Sequence, residues 1–144
     1  MDNGTSLTSV FQTMHVSCDN DPYGFATKEG EVAIAIRDVA GLFHEDEGLT
    51  IIASTRYLES IGLTYTGPYA RLTISFSATH DIPGFSAILV QKLAEVGIPT
   101  GVVAAYFHDH IYVPYDYRKE ATALLKNLRN EPATPPEAPE IPTT

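Results

Sequence analysis

Cysteine, basic side chains and long apolar runs are scarce in this chain, and each scarcity excludes a class of protein. Among 144 residues there is one cysteine, Cys18, which excludes an intramolecular disulfide and a cysteine-based zinc cluster. Lys and Arg number 9 against 18 Asp and Glu, and this balance argues against broad binding to nucleic acid phosphates. No apolar run approaches the roughly 20 residues of a membrane span. The polar start at Met1–Thr5 matches neither a signal peptide nor a mitochondrial presequence, so we expect a cytoplasmic protein.

Motifs of common catalytic sites are missing as well. The chain contains no Gly-x-Ser-x-Gly, no phosphate-binding glycine-rich loop and no Gly-x-Gly-x-x-Gly after a strand. Cys18 is close to Asp19 and Asp21 in sequence, and their charges are expected to disfavour a reactive thiolate. The acidic run Glu45–Glu47 lacks the spacing of a calcium loop and is predicted to be a solvated turn. The sequence therefore predicts no catalytic residue and no cofactor.

What the chain does contain is an acidic excess that is spread unevenly. Residues 1–60 carry 10 acids and 3 bases, residues 61–130 carry 5 acids and 6 bases, and residues 131–144 carry 3 acids. Five of the ten prolines fall between Pro132 and Pro142, a composition that cannot bury a core. Residues 131–144 are therefore predicted to be a disordered, proline-rich tail, and a solubilising role is favoured over docking to an aromatic groove.

Hydrophobic periodicity in the second half predicts the order strand, helix, strand, strand, helix. Arg71–Ser77 alternates strictly between apolar and polar residues, which is typical of a half-buried strand. Asp81 is the predicted N-cap of a helix that has Pro83 in its first turn and that Gly97 ends. The remaining predicted elements of this half are two strands and a helix: Thr100–Phe107, Ile111–Val113, and a helix from Asp116 onward.

The first half gives weaker signals for the same kind of fold. A short helix is predicted after Ser54, which caps it, with Gly62 past its end. The predicted strands of this half are Tyr23–Thr27, Val32–Ile36 and Leu49–Ala53, the last opened by a turn at Glu45–Gly48. Together the two halves predict an α+β fold with helices on one face of an antiparallel sheet. The ferredoxin-like arrangement is the best-known solution for this order of elements.

Three segments of the chain also resemble a known family, and the resemblance covers roughly residues 8–129. They are Glu47–Ile52, Gly62–Pro68 and Ala105–Pro114, of which Tyr106-Phe107-His108-Asp109-His110 is the most specific part. They resemble small stand-alone ACT-domain proteins with two tandem ACT-like halves, related to the modules of cytosolic arginine sensors and aspartate kinases. The stretch from Asp81 to Ile98 is similar to the general ACT pattern, in which a Pro-Gly turn precedes a helix ending in Gly-Ile.

The resemblance implies a ferredoxin-like ACT fold and a regulatory function. It divides the chain into an N-terminal ACT-like half at residues 8–66 and a C-terminal ACT domain at residues 67–130. A non-catalytic regulatory protein that binds an amino acid or a similar small ligand is the expected function. The family usually pairs side by side through its sheets, so a homodimer is an expected assembly. Neither nucleic acid nor a membrane is an expected partner.

The turn before the predicted second-half helix is the expected ligand site. Exposed N–H groups at a helix N-terminus attract a carboxylate, and Gly84 allows close approach of the backbone. The resemblance implies that Asp109 binds an ammonium or guanidinium group, although the small Ala104 and Ala105 argue against arginine itself. In a second interpretation, which is compatible with ligand binding, Asp81 caps the helix and Gly84 packs against a strand, and for the Asp81 side chain the cap alone is favoured. The predicted ligand-binding residues are Asp81, Ile82, Pro83, Gly84, Phe85, Ala105, Tyr106 and Asp109.

Two other functions remain open from the sequence. His108 and His110 alternate on a strand and share a face, so with His80 they suggest a metal-dependent enzyme. A structural, hydrogen-bonded role is favoured for them, and no metal site is predicted. The main alternative to ligand binding is a protein-interaction module without a small ligand, which would use its sheet edges and its acidic first half to contact a basic partner.

Overall fold

The sheet of this protein is antiparallel, and the helices cover one of its faces. The structure is a computed structural model, and it describes residues 7–76 and 84–130. Within these ranges the elements in chain order are α1 (Leu7–Thr13), β1 (His15–Cys18), β2 (Tyr23–Lys28), β3 (Val39–Glu45), β4 (Gly48–Ser54), α2 (Thr55–Ser60), β5 (Thr66–Ser75), α3 (Phe85–Glu95), β6 (Gly101–Ala104), β7 (Asp109–Pro114) and α4 (Arg118–Asn127). Short 3₁₀ helices occur at Ile36–Asp38, Tyr115–Tyr117 and Leu128–Asn130. None of the helices described is long and apolar enough to cross a membrane.

The long strand β5 joins the two halves of the sheet. The strand order is β3-β4-β2-β5-β7-β6, and β1 pairs with β5 beside this path. One edge of β5 pairs with β7 from Tyr69 to Ile74. Its other edge pairs with β2 at residues 66–69 and with β1 at residues 72–75. Because side chains alternate along β5, its even-numbered residues face the helices and its odd-numbered residues face the other side, which we call the open face.

Two hydrophobic cores lie between the helices and the sheet. The large core joins α1, α3 and α4 to β1, β5 and β7, and its fully buried members include Leu72, Leu89 and Leu125. The small core lies under α2, where Leu58 packs on Ala26, Ile51 and Ala53 of β2 and β4. The predicted α+β class, with helices on one face of an antiparallel sheet, is confirmed.

The segment before β2 lies in the first half of the sequence, but it packs in the large core, most of which comes from the second half. Val10, Phe11 and Met14 are fully buried there, and the Phe11 ring lies 5.3 Å from the ring of Phe85. No helix at α1 and no strand at β1 was predicted from the sequence. The proposed boundary between residues 66 and 67 falls at the first residues of β5.

Two predictions of local structure are wrong, and the predicted strand Thr100–Phe107 is too long, because β6 spans only Gly101–Ala104. Val32–Ile36 is not a strand, because this stretch finds no strand partner: Val32 and Ile34 pack against the small core, and the Ala35 N–H donates to the Tyr57 hydroxyl at 2.8 Å. The neighbouring strand is instead β3. The helix α3 begins at Phe85, and Gly84 is its N-cap, so its start was predicted too early. The predicted positions Asp81 and Pro83 lie outside the described residues.

Candidate functional site

The N-terminus of α3 is the first part of the predicted ligand site that the structure describes. Gly84 adopts a φ of 84°, in the left-handed region that favours glycine, and it supplies no side-chain cap to the helix. The first N–H groups of a helix lack partners within the helix, and groups of this kind can bind a carboxylate. Phe85 is buried, and its ring contacts the tilted ring of Phe76 with 4.5 Å between the ring centroids. Phe85 thereby anchors this helix end on the large core.

Asp109 lies beside this helix end, at the first position of β7. The residue is 6% exposed, and among the residues described it is the one buried polar or charged residue. Within the same residues, its Oδ2 accepts a hydrogen bond from the Ser86 hydroxyl at 3.4 Å. That distance is long for such a bond, and buried carboxylates are ordinarily paired with a cation or several donors. Asp109 can therefore accept a further donor without giving up a strong bond in the described structure.

The turn between β6 and β7 carries the other predicted site residues. The Ala105 N–H donates to the His108 carbonyl at 3.0 Å, which closes the turn. Tyr106 and Phe107 project to solvent, with 83% and 77% of their surfaces exposed, and their rings are 4.9 Å apart. The structure thus brings Phe85 and Asp109 to adjoining elements and places Tyr106 at the surface of the turn. Asp81, Ile82 and Pro83 lie outside the residues it describes.

His108 and His110 face away from the helices and bond to neighbouring strand β5. The Nδ1 atom of His108 lies 3.1 Å from the Ser75 hydroxyl, and that of His110 lies 3.0 Å from the Thr73 hydroxyl. Burial lowers the pKa of His110, and the charges of Arg71 and His108 lower it further. Over residues 7–76 and 84–130, no three His, Cys, Asp or Glu side chains cluster as metal ligands would.

A charged network on the open face ties the β1–β2 turn to the centre of the sheet. Asp19 Oδ2 accepts from Arg71 Nη2 at 2.9 Å and from the Tyr23 hydroxyl at 2.6 Å. Burial raises the pKa of Asp19, but hydrogen bonds from Tyr23, the Asp21 N–H and Arg71 outweigh burial and lower it overall. The Arg71 guanidinium also lies 4.6 Å from the centre of the Tyr23 ring. The Asp19 carboxylate is therefore already paired with Arg71 and Tyr23.

Sequence reasoning missed a cleft that β1 and the β1–β2 turn form with α4. Its volume is about 400 Å³. The lining residues are Cys18, Asp19, Asn20, Arg118, Lys119, Thr122, Ala123 and Lys126. A signal for it was present in the sequence, because four of the nine basic residues fall between Arg118 and Arg129 with a single acid among them.

The second half of the chain has the order strand, helix, strand, strand, helix (β5, α3, β6, β7, α4), and the whole sheet is antiparallel with helices on one face. This arrangement is a ferredoxin-like ACT fold. Two family models described as ACT domain match in tandem, one at residues 4–70 and one at residues 66–127. The chain therefore belongs to the ACT-domain family. ACT domains are regulatory modules, so membership supports a regulatory role for this protein.

Solved structures with this fold come from several bacteria. A Vibrio cholerae protein of unknown function, described as a possible transport protein, is 28% identical with a TM-score of 0.74, over 85% of this chain and 95% of that one. A protein from Agrobacterium tumefaciens is 20% identical with a TM-score of 0.60, over 81% and 89% of the two chains. The ligand-free regulatory subunit of aspartate kinase from Thermus thermophilus is 14% identical with a TM-score of 0.55, over 78% and 95%. No curated protein matches the chain significantly.

Proposed function

We propose that this protein is a non-catalytic regulatory protein that binds an amino acid, or a similar small ligand, where α3 meets β7. The observation that carries the proposal is the buried carboxylate of Asp109 beside the N-terminal turn of α3. A buried carboxylate is costly unless a cation or several donors compensate its charge. The ammonium group of an amino acid would supply that cation through a charge-assisted hydrogen bond.

The other end of an amino acid matches the helix terminus. Backbone N–H groups and the helix dipole at the start of α3 favour a carboxylate. Gly84 leaves the backbone there free of a Cβ atom, which permits close approach. A ligand with one positive and one negative group a few ångströms apart therefore fits the juxtaposition of Asp109 and α3.

The remaining predicted contacts complete the proposal. We include Asp81, Ile82 and Pro83 among the proposed ligand-binding residues, although they lie outside the residues that the structure describes. Ala105 would leave room beside Asp109, and Tyr106 would close over the ligand from its exposed turn. We further propose that the protein acts in the cytoplasm, with residues 8–66 and 67–130 as its two ACT-like halves, and that it pairs as a homodimer through its sheets.

Ligand-induced stabilisation tests the proposal. Each of the twenty amino acids is added to the protein and the melting temperature is measured. A ligand at about 100 times its Kd adds about 2.7 kcal/mol to the free energy of unfolding. Asp109→Asn keeps the shape of the side chain but removes its charge, and we expect it to weaken the binding of the effective amino acid by roughly tenfold or more.

Asp116→Asn is the matched control, because Asp116 is an exposed acid shortly after β7. It should keep the full ligand-induced shift. The proposal fails if no amino acid stabilises the wild-type protein, or if Asp109→Asn responds as the wild type does. Salt-sensitive capture of a basic protein that survives Asp109→Asn would then favour the interaction module.

A further inference from the structure

We infer that the cleft between α4 and the β1–β2 turn is a second binding site, which takes a small organic anion with carboxylate or phosphate groups. It involves none of the residues of the proposed amino-acid site. Its volume of about 400 Å³ is in the range of small-molecule pockets. Arg118, Lys119 and Lys126 contribute three cationic side chains to its walls.

These three cations have no carboxylate within ion-pair distance among the described residues. The acid that lines the cleft, Asp19, is bonded to Arg71 and Tyr23 instead. Among the described residues, the cleft therefore carries three cations without an ion-pair partner, in a chain whose formal net charge is −9. Because like charges repel, such a cluster is unfavourable unless an anion offsets it.

The position of two of the cations strengthens the inference. Arg118 and Lys119 occupy the first turn of α4, where the helix dipole is positive and disfavours cations. These two cations do not by themselves stabilise the helix. An anion bound in the cleft would interact favourably with both the cations and the helix dipole.

Arg118 is also held in place before any ligand arrives. Its Nη1 donates to the Tyr115 carbonyl at 3.0 Å, and its guanidinium lies 4.1 Å from the centre of the Tyr115 ring. A guanidinium has five N–H donors, so the bond to Tyr115 leaves others available. A cation that is already ordered loses less conformational entropy on binding.

The spacing of the cations indicates the shape of the ligand. Lys119 and Lys126 are seven residues apart on α4, which corresponds to about 10 Å along the helix axis. Thr122 and Ala123 lie between them on the cleft wall. A neighbouring cleft of about 470 Å³ continues past Lys126 to Arg129. We therefore expect a ligand with two separated anionic groups and an apolar middle.

Cys18 provides a direct reporter, because it is the one cysteine of the chain and lines the cleft. Burial raises the pKa of its thiol, while the Thr122 side chain and the Arg118 charge lower it and the Asp19 charge raises it. The full chain is labelled with N-ethylmaleimide, a neutral reagent that an anion does not repel. Succinate, adipate and inorganic phosphate are the probes, at constant ionic strength.

We expect a saturable slowing of Cys18 labelling by at least one probe, roughly tenfold when the probe is at about ten times its Kd. Preference for adipate or succinate over phosphate would identify dicarboxylates as the ligand class, and the reverse would identify phosphorylated compounds. Lys119→Gln/Lys126→Gln should weaken the protecting probe by roughly tenfold or more. The matched control, Lys28→Gln/Arg37→Gln, removes two exposed cations from the first half and should protect as the wild type does.

The inference is overturned if none of the three probes protects Cys18 in a saturable way. It is also overturned if both double variants are protected equally, because the anion would then act through general screening. The rise in melting temperature caused by amino acids should persist in Lys119→Gln/Lys126→Gln. The two experiments therefore test the amino-acid site and the cationic cleft independently.

Discussion

The large core and the small core of this protein differ in how many elements contribute to them. Three helices and three strands converge on the large core, whereas one helix of six residues, α2, covers the small core. The outermost strand of the small-core half, β3, is largely exposed, and its Phe43 has 68% of its surface in solvent. The comparison indicates that the large core supplies most of the stability, and both proposed binding sites lie on the elements that surround it.

Replacing one leucine in each core should have the largest effects on stability and allows the two cores to be compared. Leu72 and Leu58 are both fully buried, in the large and small cores respectively. Both substitutions should cost about 2–5 kcal/mol of unfolding free energy, and Leu58→Ala should cost less than Leu72→Ala because fewer elements surround its cavity and the site can collapse. Chemical denaturation measures both values.

Amide hydrogen exchange then shows whether the cores open separately. Leu58→Ala should speed exchange mainly in β2, β3 and β4 and leave β7 protected, whereas Leu72→Ala should lower protection throughout. If Leu58→Ala lowers protection in β7 as much as in β4, the two cores form a single cooperative unit and the contrast between them is wrong.

The start of α2 offers a smaller test. The Ser54 hydroxyl accepts a hydrogen bond from the Tyr57 N–H at 3.2 Å and so caps α2. Ser54→Ala should cost about 1 kcal/mol of unfolding free energy, measured by denaturation. Ser60→Ala is the control, because Ser60 is exposed at the far end of the same helix. Its hydroxyl donates to the Tyr57 carbonyl, which also accepts from the Ile61 N–H, so the effect should stay within about 0.5 kcal/mol. Equal losses would mean that the cap does not stabilise α2.

The smallest expected effect is a pH dependence that arises on the open face. The pKa of His110 is lowered in the folded state, mainly by burial, so the unfolded state binds the proton more readily. Stability should therefore fall as the pH drops below about 6.5, the ordinary histidine pKa. The fall should be complete once the pH is below the folded-state pKa.

A pH series of denaturation curves measures this slope. His110→Gln should remove the part of the slope that His110 contributes, whereas the control His44→Gln, at an exposed position on β3, should retain it. An unchanged slope in His110→Gln would assign the pH dependence to other groups.

The sequence predicted the second half well because its hydrophobic periodicity agrees with its packing. Arg71–Ser77 alternates as a strand and the helix after Pro83 is amphipathic, and both patterns reflect burial in the large core. The alternation at Val32–Ile36 wrongly predicted a strand. Val32 and Ile34 are half-buried against the small core, and this produces the same alternating pattern without a strand partner. The elements α1 and β1 carry too few residues for periodicity to distinguish them.

The candidate sites were predictable to different extents. Asp109 was selected through a family resemblance, and the structure adds that its carboxylate is buried beside Ser86. The cationic cleft could not be predicted, because it depends on the turn at Asn20 meeting α4 about a hundred residues later in the chain. Contacts of that kind are set by strand order, which local patterns do not determine.

Residue-specific NMR titration with the amino acid that gives the largest thermal shift tests the central proposal most directly. If the ligand binds between the N-terminus of α3 and Asp109, the backbone amides of Gly84, Phe85, Ser86 and Asp109 should show the largest saturable shift changes. The amides of the small core should stay unchanged, and Asp109→Asn should abolish the response. Saturable changes centred elsewhere, or changes that persist in Asp109→Asn, would contradict the account.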